Sequence, residues 1–115
     1  MREYVNNKYI KNTLTISVRV NKAVIDYDEW GQLKLDEELW RLMRVYNLSL
    51  SRKSENIDNI QSQLCFSYDG DVPLTDFQTI VNGLRYFIYD LNELYGVEDY
   101  EMRYDERTYI EKMFG

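Results

Sequence analysis

The segment DLNELYGVEDYEMRYDERTYIE, Asp90 to Glu111, sets carboxylates and tyrosines beside one another along its whole length. Asp90, Glu93, Glu98, Asp99, Glu101, Asp105 and Glu106 bring negative charge, and Tyr89, Tyr95, Tyr100, Tyr104 and Tyr109 bring amphipathic rings. Carboxylates steer and pair with Lys and Arg, while desolvated tyrosines add the contact area and specificity that charge lacks. These residues form the candidate partner-binding set. The plainer alternative has the tyrosines completing a core with their hydroxyls at its boundary and the acids keeping the other side in water.

Catalysis has little to work with here. His is absent from the chain, which removes histidine bases, histidine-containing triads and the common histidine-bound metal sites. Cys65 has no second cysteine to pair with, and in QLCFSY it reads as a small buried hydrophobe on a strand. Asp26, Asp28 and Glu29, or Asp69 and Asp71, would offer oxygen ligands or an acid–base pair, but neither group completes a calcium loop or adjoins a phosphate motif. Solvated turns explain both groups better. None of the 5 glycines lies in a nucleotide-binding cluster. The expectation is a protein that is not an enzyme and takes no cofactor or metal, with a carboxylate-dependent small hydrolase as the enzymatic alternative.

The formal charge of -6 disfavours a general nucleic-acid binder and equally an anionic membrane surface. Its distribution is uneven: residues 1–68 hold 10 Lys/Arg against 9 Asp/Glu, and residues 69–115 hold 4 against 11. The acidic half is expected to meet a basic protein surface, and in the narrower form to occupy the basic cleft of a DNA- or RNA-processing protein as an inhibitor. That strategy resembles the one used by small proteins that imitate the charge of nucleic acid, anti-restriction and anti-CRISPR inhibitors of mobile elements among them, although no motif identifies one of those families. Arg41, Arg44, Arg52 and Lys53 compose the alternative, a local basic patch for direct nucleic-acid contact. A symmetric interface serving oligomerisation or assembly is a further alternative.

The lone cysteine does not point to an oxidising compartment, the opening MREYVNNKYIKN is too polar for a signal-peptide core, and later apolar runs are too short to span a bilayer. A soluble, cytoplasmic protein is expected.

A chain of 115 residues suits one compact domain. Leu14, Ile16, Val18 and Val20 alternate with polar residues and predict a half-buried strand; Asn21-Lys22 would turn it into a second strand, Ala23 to Tyr27, as an antiparallel hairpin. Gly31 permits another turn. Leu35, Leu39, Leu42, Met43 and Tyr46 share a helical stripe, with Trp40 at its border and acids at its start. Residues 49–60 are polar and read as an exposed loop with a short helical turn near Glu55 to Ile60.

Gln63 to Tyr68 predicts a strand closed by the turn signal Asp69-Gly70. Thr75 to Gln78 has capping-box spacing with Leu74 as hydrophobic staple, and the apolar stripe that follows runs from Phe77 to a stop at Gly96. Beyond it, EDYEMRY would make an edge strand with Tyr100, Met102 and Tyr104 on one face and Asp99, Glu101 and Arg103 on the other, and DERTYIEKMF a short helix whose stripe is Tyr109, Ile110, Met113 and Phe114. The fold class expected is α+β, a small antiparallel sheet packed against two main helices.

Overall fold

Seven residues in which every second side chain is fully buried can sit only where a sheet has a covered face, and LTISVRV does so at the sheet's centre. The computed structural model describes residues 13–73 and 75–104 in full and 109–112 as backbone. Strand β1 (Leu14–Val20) lies between β6 (Ser62–Tyr68) and β7 (Val97–Tyr104), antiparallel to both. Outside these run β4 (Leu48–Leu50) and β5 (Glu55–Asn56), both paired with β6, and β8 (Tyr109–Lys112), paired with β7. A separate two-stranded ribbon joins β2 (Asp26–Tyr27) to β3 (Leu33–Lys34). Helices α1 (Glu37–Val45) and α2 (Phe77–Tyr95) complete the small α+β domain.

One face of the sheet and both helices share one core. Leu14, Ile16, Val18, Val20, Leu64, Phe66 and Met102 from the strands meet Leu39 and Met43 of α1 and Val81, Leu84, Phe87, Ile88 and Leu91 of α2. Burying a side chain of this kind is worth about 1.5–3 kcal/mol, so the α2 stripe alone holds that helix on the sheet. The two helices lie antiparallel. Asp36 at the start of α1 bonds Tyr95 at the end of α2, and Tyr46 just past α1 meets Phe87 and Asp90 earlier in α2.

Several expectations fail for identifiable reasons. Ala23 to Tyr27 does not fold back on β1, because both edges of that strand are taken by β6 and β7. The chain instead crosses the start of β6, beside the end of β1: Asn21 N–H donates to Gly96 carbonyl, Val24 N–H to Ser62 Oγ and Ile25 N–H to Asn56 Oδ1. The polar stretch 49–60 contains no helical turn but the edge strands β4 and β5. Leu50 faces Phe66 and Glu55 faces Gln63, so residues 51–54 bulge outward, and the Ser54 hydroxyl, 2.8 Å from Cys65 N and 3.2 Å from its carbonyl oxygen, takes the place of missing ladder bonds.

Helix α2 begins one residue later than the capping box requires. Asp76 precedes its first turn without a side-chain cap, and the Gln78 amide donates instead to Asn82; Leu74, the proposed staple, lies outside the described residues. Strand β7 is not an edge, since β8 covers it. Tyr109 and Ile110, proposed as part of a terminal helix, belong to β8, and Met113 and Phe114 lie outside the described residues. Cys65 is only half-buried and stands on the sheet face away from the helices, where strand alternation puts it between Leu64 and Phe66.

Gly96 ends α2 as anticipated, and its backbone explains why. With φ of 79° and ψ of 130° it turns the chain from helix directly into β7, and a Cβ there would stand 3.2 Å from Asn21 Nδ2. We expect Gly96→Ala to lower stability by about 1–3 kcal/mol, read as a lower urea midpoint at unchanged m value.

Candidate functional site

Gly96 also decides where the acidic groups go. Before it, Asp90 and Glu93 belong to α2 in the helix layer; after it, Asp99 and Glu101 alternate with the core residues Tyr100 and Met102 and therefore stand on the opposite, open face of the sheet. Glu98 is exposed and is the extra residue of a bulge, because Arg19 pairs with Asp99 while Val20 pairs with Val97. The segment is thus two surfaces rather than one. Asp105 and Glu106 lie outside the described residues, and Tyr109 is placed only by its backbone in β8.

The tyrosines divide as sharply. Tyr95 is buried, its hydroxyl 3.1 Å from Asp36 Oδ2, and Tyr104 is buried with its hydroxyl donating to Val72 carbonyl at 2.7 Å and its ring tilted against Phe77. Tyr100 packs partly against the core. Tyr89, by contrast, is 69% exposed. Its companion on the outer side of α2 is Tyr86, 67% exposed, which lines a shallow groove of about 400 Å³ together with Asn82, Arg85 and Tyr89. Sequence reasoning passed over Tyr86 because it followed the acids; the signal was its absence from the apolar stripe of α2.

Also missed was the acidic contribution of α1. Folding brings Asp36 and Glu38, from the half of the chain that is nearly neutral, beside the last turn of α2. Lys22 pairs with Asp36 at 3.4 Å and stands 5.5 Å from the Tyr95 ring, and Arg41 pairs loosely with Glu38 at 3.8 Å. Burial, followed by the charge of and bond to Asp36 and the charge of Glu38, raises the Tyr95 pKa. Burial together with the 2.8 Å bond to Asp90 pushes that of Tyr46 up to about 12. Both phenols stay neutral near pH 7 and donate to carboxylates, fixing Asp36 and Asp90 along the seam between the helices.

The basic residues do not form one patch. Arg41 and Arg44 lie on the outer side of α1, whereas Arg52 and Lys53 ride the bulge between β4 and β5. Even these neighbours diverge. Arg52 lines a groove of about 510 Å³ beside the β2–β3 ribbon, with Tyr27, Leu33 and Leu50; Lys53 lines a different cavity on the open sheet face.

Of the carboxylates weighed as metal ligands, Asp28 and Asp69 are engaged by hydrogen bonds within the fold. Asp28 Oδ1 accepts from Trp30 and Gln32 N–H, shaping the β2–β3 connection, and Asp69 takes the Ser49 hydroxyl at 2.7 Å. Among the described residues no three acidic or cysteine side chains gather as a metal site. No helix among them is long and apolar enough to cross a membrane.

Comparison with protein families, with curated proteins and with solved structures finds no match to this chain.

Proposed function

We propose that this chain is a non-enzymatic protein-binding module whose acidic helix layer docks on a basic protein surface. The observation that supports this reading most directly is the placement of carboxylates at both ends of the α1–α2 seam, Asp36 and Glu38 beside Tyr95 and Asp90 beside Tyr46, with Glu93, Tyr86 and Tyr89 exposed on α2. Carboxylates held by tyrosine hydroxyls are preorganised, so less ordering is needed at contact. Their field raises the encounter rate with a basic partner, and the two exposed tyrosines provide anchors of the kind that dominate interface energies.

Nucleic-acid mimicry is the narrower form of the same idea. It calls for an unbroken line of carboxylates, and Asp99 and Glu101 belong to the other layer, so the broader reading has the better support.

The test is affinity capture with the intact chain, followed by titration of the captured partner at rising salt. A selective partner with a basic surface is expected, bound more weakly as salt increases. The Glu38→Lys/Glu93→Lys variant should lose about 10–100-fold in affinity, while Asp99→Asn should lose little. Capture of no selective partner at low or moderate salt, or equal losses from both variants, would sink the proposal.

A further inference from the structure

On the sheet face that the helices leave open, three strands put their polar residues in register. Thr15 stands between Ser67 on β6 and Arg103 on β7, and Ser17 between Cys65 and Glu101. The bulge after β4 closes one side of this face. Ser51 N–H donates to Cys65 carbonyl at 2.7 Å, and the Ser54 hydroxyl bonds the same peptide positions, so the turn carrying Lys53 is pinned over β6. A cavity of about 370 Å³ results, lined by Thr13, Thr15, Ser51, Ser67, Lys53 and Arg103 among others.

The donors in this cavity are poorly used. Among the described residues, Lys53 has no ion pair and the hydroxyls of Thr13 and Ser67 have no hydrogen-bond partner. Thr15 Oγ1 reaches only the Arg103 carbonyl, at 3.4 Å. Arg103 Nη2 meets Glu101 at 3.3 Å, and among the described residues the other N–H groups of the guanidinium have no partner. Among the described residues Glu101 is the one acid of the lining, so Lys53 and Arg103 outweigh it in a protein whose total charge is -6. Two cations, surplus hydroxyl donors and few acceptors form a lining that suits a tetrahedral oxyanion: the ammonium supplies a point charge, the guanidinium a planar fork, and the hydroxyls fill the remaining lone pairs.

We propose that this cavity binds a phosphate group, held by Lys53 and Arg103 and by the hydroxyls of Thr13, Thr15 and Ser67. The group is either free inorganic phosphate or the phosphate of a larger molecule. The site lies on the layer opposite the acidic helix surface, and it stands or falls independently of the protein-binding reading.

Titration of the full chain with inorganic phosphate, followed by amide NMR at constant ionic strength against chloride, is the direct measurement. Saturable shifts confined to residues 13–15, 51–53, 67 and 101–103 are expected. Lys53→Ala should weaken binding at least tenfold, and Arg103→Lys, which keeps the charge and loses the fork, should weaken it several-fold with the spectrum otherwise folded. Parallel titrations with adenosine 5′-monophosphate and O-phosphoserine distinguish the sources: an ester that binds more tightly than phosphate assigns the site to a phosphorylated molecule, and the reverse order assigns it to the free ion. No saturable response to any of the three, or an undiminished response in Lys53→Ala, overturns the proposal.

Discussion

Phe87→Ala is expected to remove about 3–5 kcal/mol of folding stability, enough to leave a domain of this size marginal at best. Phe87 is fully buried and is the point at which three elements meet. Its ring stands edge-on to Phe66 of β6, with centroids 5.1 Å apart at 89°, and tilted against Tyr46, just past α1, at 5.4 Å. Truncation loses the transferred surface, opens a cavity that strands and helices cannot both collapse into, and forfeits two aromatic contacts worth about 0.5–1.5 kcal/mol each. Urea unfolding measures the loss. The neighbouring Tyr86→Ala is the control: Tyr86 is 67% exposed, and its removal should stay within about 0.5 kcal/mol. If the two variants were destabilised equally, the rotation of α2 on the sheet would have to be revised.

That rotation could be read from sequence because nineteen residues of α2 repeat one stripe over five turns. Strand β1 was equally legible, its alternation unbroken over seven residues. Pairing was not. Ala23 to Tyr27 looks like the returning arm of a hairpin because sequence proximity favours it, whereas β1 finds its partners in Ser62–Tyr68 and Val97–Tyr104, far along the chain. Nothing local distinguishes a strand that pairs on both sides from one that pairs on one. The short edge strands β4 and β5 were hidden for a different reason: side-chain hydroxyls such as Ser54 carry part of the ladder, so a polar loop and an interrupted strand look alike.

For the acidic residues, the register of β7 was legible and its consequence was not. Alternation alone sets Asp99, Glu101 and Arg103 opposite Tyr100, Met102 and Tyr104. Which side the helices cover depends on the whole sheet, and that choice separates Asp99 and Glu101 from Asp90 and Glu93. Charge counted along the chain therefore overstated the link between neighbours in sequence and understated that between Asp36 and Tyr95, whose oxygens are 3.1 Å apart across 59 residues.

Ser62 tests the least visible part of this architecture. It is fully buried, and its hydroxyl accepts from Val24 N–H at 2.9 Å while lying 2.9 Å from Lys22 carbonyl and 2.7 Å from Asn56 Oδ1, so that its single proton serves one of these two acceptors. Asn56 completes the junction, taking Ile25 N–H and donating to Ile25 carbonyl. The crossing of the chain from β1 toward the β2–β3 ribbon is held by these bonds rather than by a ladder. Ser62→Ala leaves the buried Val24 N–H without its partner and takes the hydroxyl proton from Lys22 carbonyl or Asn56 Oδ1; an unsatisfied buried group costs about 1–3 kcal/mol, and a net loss of about 1–3 kcal/mol is expected. Asn56→Ala should destabilise as well, and because the two side chains share one network the double variant should fall short of the sum by about 0.5–3 kcal/mol. Hydrogen exchange supplies the local readout: the amides of Val24 and Ile25 should lose protection in Ser62→Ala by more than those of β1 and β7. Uniform loss across all of them would mean that the junction opens only with the whole domain, and that Ser62 supports the core without holding the crossing.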